Sequence, residues 1–241
     1  MFHKIYGVVL LCSLPLLLMP KTLAAQQTLD NSTMMATLRE NLPDLRYLMR
    51  CTNPDSLKKY YASRPLHDVA LRAVYATKLL EIEGSQKDTS LFLQTLPTSE
   101  IEYLYLSLLT DRPSGDKQLD SALSDVSEEM PERATKLLPT HRQYIQRFFR
   151  YVYATAVDAE ISETIPGCSS WLIERECVWF LNELHKANPQ IAKYILGGLE
   201  MDPPDLSCVE QHRAQIPFGY IKQLEEILKD AKHIEKGQRS E

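Results

Sequence analysis

Three steps in the sequence set an Asx side chain directly before a proline: Asn53-Pro54, Asn188-Pro189 and Asp202-Pro203. Each offers a capping oxygen followed by a residue whose missing N–H is harmless in the first helical turn. Ser99 and Glu102 add capping-box spacing before "YLYLSLL", and Pro166-Gly167 and Gly197-Gly198 read as helix stops. No stretch sustains a two-residue alternation of Val, Ile and Thr, and only eight glycines interrupt 241 residues. Both observations argue against strands and for helix. The predicted fold class is all-α: antiparallel helical hairpins, stacked as a right-handed α-solenoid-like array or as an irregular multi-helix bundle.

The punctuation and periodicity predict helices at 34–50, 54–62, 66–83, 86–95, 99–110, 116–129, 140–163, 169–187, 189–197, 203–213 and 217–235. Their short connections make sequential helices antiparallel neighbours. The polar stretch at 111–118 is the one candidate for a subdomain break within an otherwise single helical domain, 34–235. A polar segment at 26–33 precedes that domain, and a disordered tail at 236–241 follows it. "RAVYAT" at 72–77 and "RYVYAT" at 150–155 agree at five of six positions. A helical-repeat array produces such echoes at multiples of roughly 40 residues.

Residues 1–25 read as a cleaved signal peptide. Lys4 precedes an apolar run from Ile5 to Met19, and Pro20-Lys21 and the small pair Ala24-Ala25 follow. The run is shorter than the roughly 20 residues that span a bilayer, and Pro15 interrupts it. Leu11 is too bulky before Cys12 for a lipoprotein signal. Export into a periplasm or the extracellular medium is therefore expected, with no integral membrane segment after cleavage. Cleavage removes Lys4 and Lys21 and leaves about 25 basic against 32 acidic residues, a balance that repels phosphate backbones and argues against nucleic acid. One sequon, Asn31-Ser32-Thr33, lies just after the signal.

The searches for chemistry return little. Ser56 and Lys59 share the spacing of serine acyl-enzymes but lack the partner motifs, so they read as an exposed helix start. Cys208 with His212, and Asp230 with His233, have helical ligand spacing but no companion pair. His67-Asp68 and the trio Glu174, Glu183 and His185 are the only acid/base groupings. Glu174 and His185 are three turns apart along one helix and do not meet. In "HRQYIQRFFRYVYATA", Tyr144, Phe148 and Tyr151 form a core stripe edged by arginines. No catalytic, cofactor or metal motif emerges.

Cys51, Cys168, Cys177 and Cys208 remain after export, and an even count in an oxidising compartment predicts two disulfides. With Ser169 or Ser170 as N-cap, nine helical residues separate Cys168 from Cys177 by about 13 Å. That exceeds the roughly 7 Å a bridge tolerates. The alternatives are Cys51–Cys168 with Cys177–Cys208, or Cys51–Cys177 with Cys168–Cys208. Cys177–Cys208 is favoured because the short helix from 189 folds back toward its predecessor, and partial pairing with one or more free thiols is the further alternative. Ile173, Cys177, Phe180, Leu181 and Leu184 form the core arc of that predecessor.

These readings point away from an enzyme without deciding the question. The leading expectation is an exported helical scaffold or binding protein of the cell envelope acting on a protein partner. The alternatives are an enzyme with a dispersed Glu/His/Tyr site, and an inhibitor or immunity-type protein against an envelope-directed enzyme.

Overall fold

Helices start where a side chain meets the first unpaired backbone N–H groups. The Ser85 hydroxyl accepts from the Asp88 N–H at 3.2 Å while the Asp88 carboxylate accepts from the Ser85 N–H at 3.1 Å. Asp116 accepts from Gln118 and Leu119, Asn188 from Gln190, and Asn53 from Ser56. At Gly84 the chain turns left-handed, with φ +64°, and leaves its helix.

The computed structural model describes residue 40 and residues 43–63, 69–110 and 115–238. Residues 1–25, read from the sequence as a signal peptide, the sequon and His67-Asp68 lie outside the described residues. The helices are α1 (43–50), α2 (Pro54–Ser63), α3 (Val69–Ile82), α4 (Gln86–Thr95), α5 (Glu100–Thr110), α6 (Lys117–Leu137), α7 (Ile145–Ala154), α8 (Ala159–His185), α9 (Pro189–Gly198), α10 (Ser207–Gln211) and α11 (Phe218–Gln238). No strand occurs among the described residues.

Packing between helices follows two rows. α3, α5, α7 and α9 touch in succession, and so do α6, α8 and α10. Within hairpins α3 packs on α4, α5 on α6 and α7 on α8. Contact with the next helix but one is what stacked hairpins produce. The rows are irregular, because α6 has 21 residues and α8 has 27 where α4, α7 and α9 have 10 each. α8 reaches both rows, touching α6, α7, α9 and α10.

The two echoed segments fall in the same row, on α3 and at the end of α7. Val74 and Val152, Ala76 and Ala154, and Thr77 and Thr155 are all buried. Each threonine returns its hydroxyl to its own helix, Thr77 to the Ala73 carbonyl at 2.9 Å and Thr155 to that of Val152 at 2.8 Å.

Four boundaries differ from expectation. α6 continues through Pro131, because Met130, Pro131 and Ala134 carry on its buried face. The expected helix 140–163 is instead a 3-10 turn, α7, a second 3-10 turn at Thr155–Val157 and the start of α8. Asp158 supplies that start, accepting from the Ile161 N–H at 3.2 Å. Pro166-Gly167 does not stop α8, and Ser169 and Ser170 are interior rather than capping. Ile161, Ile165, Cys168 and Leu172 form one buried stripe across the proline, and burying that stripe outweighs the lost backbone bond. The break falls instead at Glu176, whose φ is −132° and ψ 32°. Finally, Asp202-Pro203 starts no helix. The much shorter α10 begins after Leu206 instead, with Asp205 accepting from the Ser207 N–H at 2.8 Å.

Tyr103, Phe148, Phe149, Tyr151 and Phe180 fill the centre, with Phe149 and Phe180 edge to face at 5.4 Å. Burial pushes the Tyr75 phenol up to about 12 and that of Tyr151 well above the usual range. A folded pKa above the unfolded one favours the native state until pH passes the unfolded value of about 10. Stability should therefore hold up to about pH 10 and fall between about 10 and 12. Ultraviolet titration alongside circular dichroism should find these tyrosines ionising only as the helices melt. Their ionising near pH 10 with the helices intact would contradict this.

Candidate binding cleft

The residues singled out from the sequence disperse. Cys177 and Cys208 form a disulfide with Cα atoms 6.0 Å apart. Cys51 and Cys168 are free thiols, so the expected second disulfide gives way to a single one. The cause is placement. Cys51 ends α1 and donates to the Asn53 carbonyl at 3.4 Å, whereas Cys168 is buried in α8 and faces Thr135 of α6. Burial pushes the Cys168 thiol up, with the Thr135 hydroxyl pulling the other way.

Glu174, Glu183 and His185, the trio singled out from the sequence, each bond to a different partner. Glu174 accepts from the Asp205 N–H at 3.0 Å, and Glu183 takes Lys186 at 2.6 Å and Gln146 at 3.4 Å. Lys186 first, then Gln146, holds the Glu183 carboxyl below its ordinary value. His185 meets the Tyr220 ring edge to face at 5.7 Å. With Cys208 in a disulfide, His212 has no thiolate partner, and the side chains of Asp230 and His233 lie outside the described residues. Among the described residues no group of three His, Cys, Asp or Glu could hold a metal ion. Ser56 begins α2, its N–H bonded to the Asn53 cap.

The arginine-rich stretch is structural. Phe148 and Tyr151 are buried, and Tyr144 accepts from Gln94 at 2.8 Å. Arg142 pairs with Glu176 at 2.6 Å and lies 5.1 Å from the Trp179 ring centre, and Arg147 donates to the Leu96 carbonyl at 3.0 Å. Tyr103 donates to Asp158 at 2.7 Å, while the Tyr151 hydroxyl beside them is buried with no partner. A buried unsatisfied hydroxyl costs about 1–3 kcal/mol. Tyr151→Phe should therefore raise the urea midpoint, by about 1 kcal/mol in unfolding free energy. A lowered midpoint would show that the hydroxyl has a role in the native state.

Besides a charged concavity of about 530 Å³ against α6, lined by Glu128, Glu129, Glu132, Arg133 and Lys136, two further concavities flank α8. One, of about 510 Å³ between α6 and α8, is lined by Glu132, Lys136, Glu163, Cys168, Trp171 and Asp202. Its one cation, Lys136, is taken by Glu132 at 3.2 Å. The other, of about 660 Å³, lies between the end of α7, α8 and α9 and is mainly apolar, with Tyr153, Ile165, Pro166, Tyr194, Ile195 and Met201 in its walls. Tyr153 and Tyr194 meet edge to face at 5.8 Å. The two glycine-containing steps read as stops meet here, because an added Cβ on Gly198 would contact the Pro166 ring at 3.6 Å. Met201 stands at the cleft with 67 % of its surface exposed, and Lys193 and Gln190 supply its polar edge.

Sequence reasoning did not find this cleft. Its walls come from three segments, and the only local signal was a pair of tyrosines inside otherwise ordinary helical stripes. No helix among the described residues is long and apolar enough to cross a membrane. No family model, no curated protein and no solved structure matches this chain.

Proposed function

We propose that this is an exported scaffold of the cell envelope that binds a protein partner, seating an apolar segment of it in the cleft between α7, α8 and α9. The observation that carries the reading is that cleft: tyrosine rings and aliphatic walls around an exposed methionine, with a single lysine and a glutamine for orientation. Aromatic and methionine side chains are enriched at protein interfaces, and exposed concave apolar surface is a recurrent mark of them. Against an enzyme stands the consumption of Glu174, Glu176, Glu183 and Arg142 in structural bonds. The N-terminal segment and the disulfide support export, since such bonds persist in oxidising compartments.

The test is paired capture from the native envelope, using wild-type protein and Met201→Glu as baits. The exposed position leaves the fold intact, which circular dichroism verifies, while a charge enters the apolar seat. Interface anchors contribute about 2 kcal/mol or more, so the co-purifying protein should lose at least about tenfold in affinity. Leu104→Glu, on the exposed face of α5, should bind as wild type. Equal capture by Met201→Glu and wild type would overturn the assignment of the cleft.

A further inference from the structure

The segment after α9 is laid along α8 in constant register. The Ser170 hydroxyl donates to the Asp202 carbonyl, Glu174 accepts from the Asp205 N–H, Cys177 is bonded to Cys208, and Asn182 donates to the Gln215 carbonyl. The sequence separations are 32, 31, 31 and 33 residues. Residues 202–215 therefore run parallel to residues 170–182 of α8 as a strap. One of its four ties is covalent, and Leu206 and Val209 are its buried anchors. At its start the strap forms a wall of the α6–α8 cleft: Asp202 lines it together with Cys168 and Trp171. The approach is close enough that a Cβ on Gly167 would sit 3.1 Å from the Asp202 carboxylate. The disulfide also sits directly after the non-helical Glu176, where α8 is least continuous.

We propose that residues 202–215 are a redox-releasable strap: two-electron reduction of Cys177–Cys208 frees them from α8 and opens the α6–α8 cleft onto the Cys168 thiol. Cys177 is fully buried and Cys208 half-buried, so a dithiol reductant attacks the Cys208 sulfur. Cys177 leaves as thiolate and takes a proton. The reductant's second thiol then displaces Cys208, leaving two protein thiols and the reductant as its own disulfide. Three hydrogen bonds and the two apolar anchors remain, each individually modest. While the strap is closed, Cys168 is buried and its thiol is pushed up by burial, so it is inert. Opening gives it water and access.

The experiment alkylates the full chain with iodoacetamide and reads each cysteine by peptide mass spectrometry. Oxidised protein, phosphine-reduced protein and Cys177→Ala/Cys208→Ala are compared. Arg175 separates Cys168 from Cys177 in a tryptic digest, so the two are read apart. A disulfide contributes about 2–4 kcal/mol, so its loss should speed Cys168 alkylation by about 30-fold or more. Cys51 should react equally in all three. Amide exchange should accelerate across 202–215 while α3 and α5 keep their protection. A Cys168 rate within about twofold of the oxidised protein would overturn the proposal. So would protection falling evenly over every helix, which marks a plain global staple. Asp202→Ala tests the wall with the disulfide intact: the carboxylate that lines the cleft beside Cys168 is removed, and Cys168 should react severalfold faster without reduction. An unchanged rate in that variant would contradict Asp202 as the cover of the cleft.

Discussion

Phe180→Ala should lower the unfolding free energy by about 3–5 kcal/mol. The ring has no exposed surface and sits edge to face against Phe149 at 5.4 Å, where α8 meets α7. Removing it deletes the buried ring and leaves a cavity that its close-packed neighbours fill only in part. Because α8 touches α6, α7, α9 and α10, the loss is felt in both helical rows rather than at one end. Urea denaturation followed by circular dichroism measures it. A decrease under about 1 kcal/mol would mean that α8 is peripheral, against its central place in this fold.

The second large effect is loss of the Cys177–Cys208 bond. The bridge closes a loop of 31 residues, and a loop of that length is worth about 3–4 kcal/mol through the entropy it removes from the unfolded chain. Cys177→Ala/Cys208→Ala should shift the urea midpoint accordingly, and wild-type protein under reductant should move to the same place. The agreement of those two midpoints matters more than the size of the shift. If reductant destabilises the double variant further, another disulfide contributes.

Local rules made much of this fold legible. Ser99 and Glu102, Asn188 and Pro189, and the arc Ile173, Cys177, Phe180, Leu181 and Leu184 act through neighbours within a few residues. There α5 and α9 begin where expected, and the whole arc is buried. The misses arise where packing across the chain overrides a local signal. Pro131 and Pro166 should end helices, yet each lies in a stripe of buried residues that continues on both sides of it. Asp202-Pro203 should start one, but residues 202–206 are held to α8 by bonds from Ser170 and Glu174. An even cysteine count implied two bridges, whereas Cys168 faces α6 and Cys51 ends α1. The α7–α9 cleft escaped for the same reason: Tyr153, Pro166 and Tyr194 meet only through tertiary structure.

The measurement that bears most directly on the account is non-reducing peptide mass spectrometry of the protein purified from its native source with its thiols blocked. The account predicts one linked pair, Cys177–Cys208, with Cys51 and Cys168 recovered as blocked free thiols. Four free thiols would contradict both the pinned strap along α8 and the oxidising compartment in which the chain is proposed to work, and Cys168 bonded to Cys177 would contradict the strap.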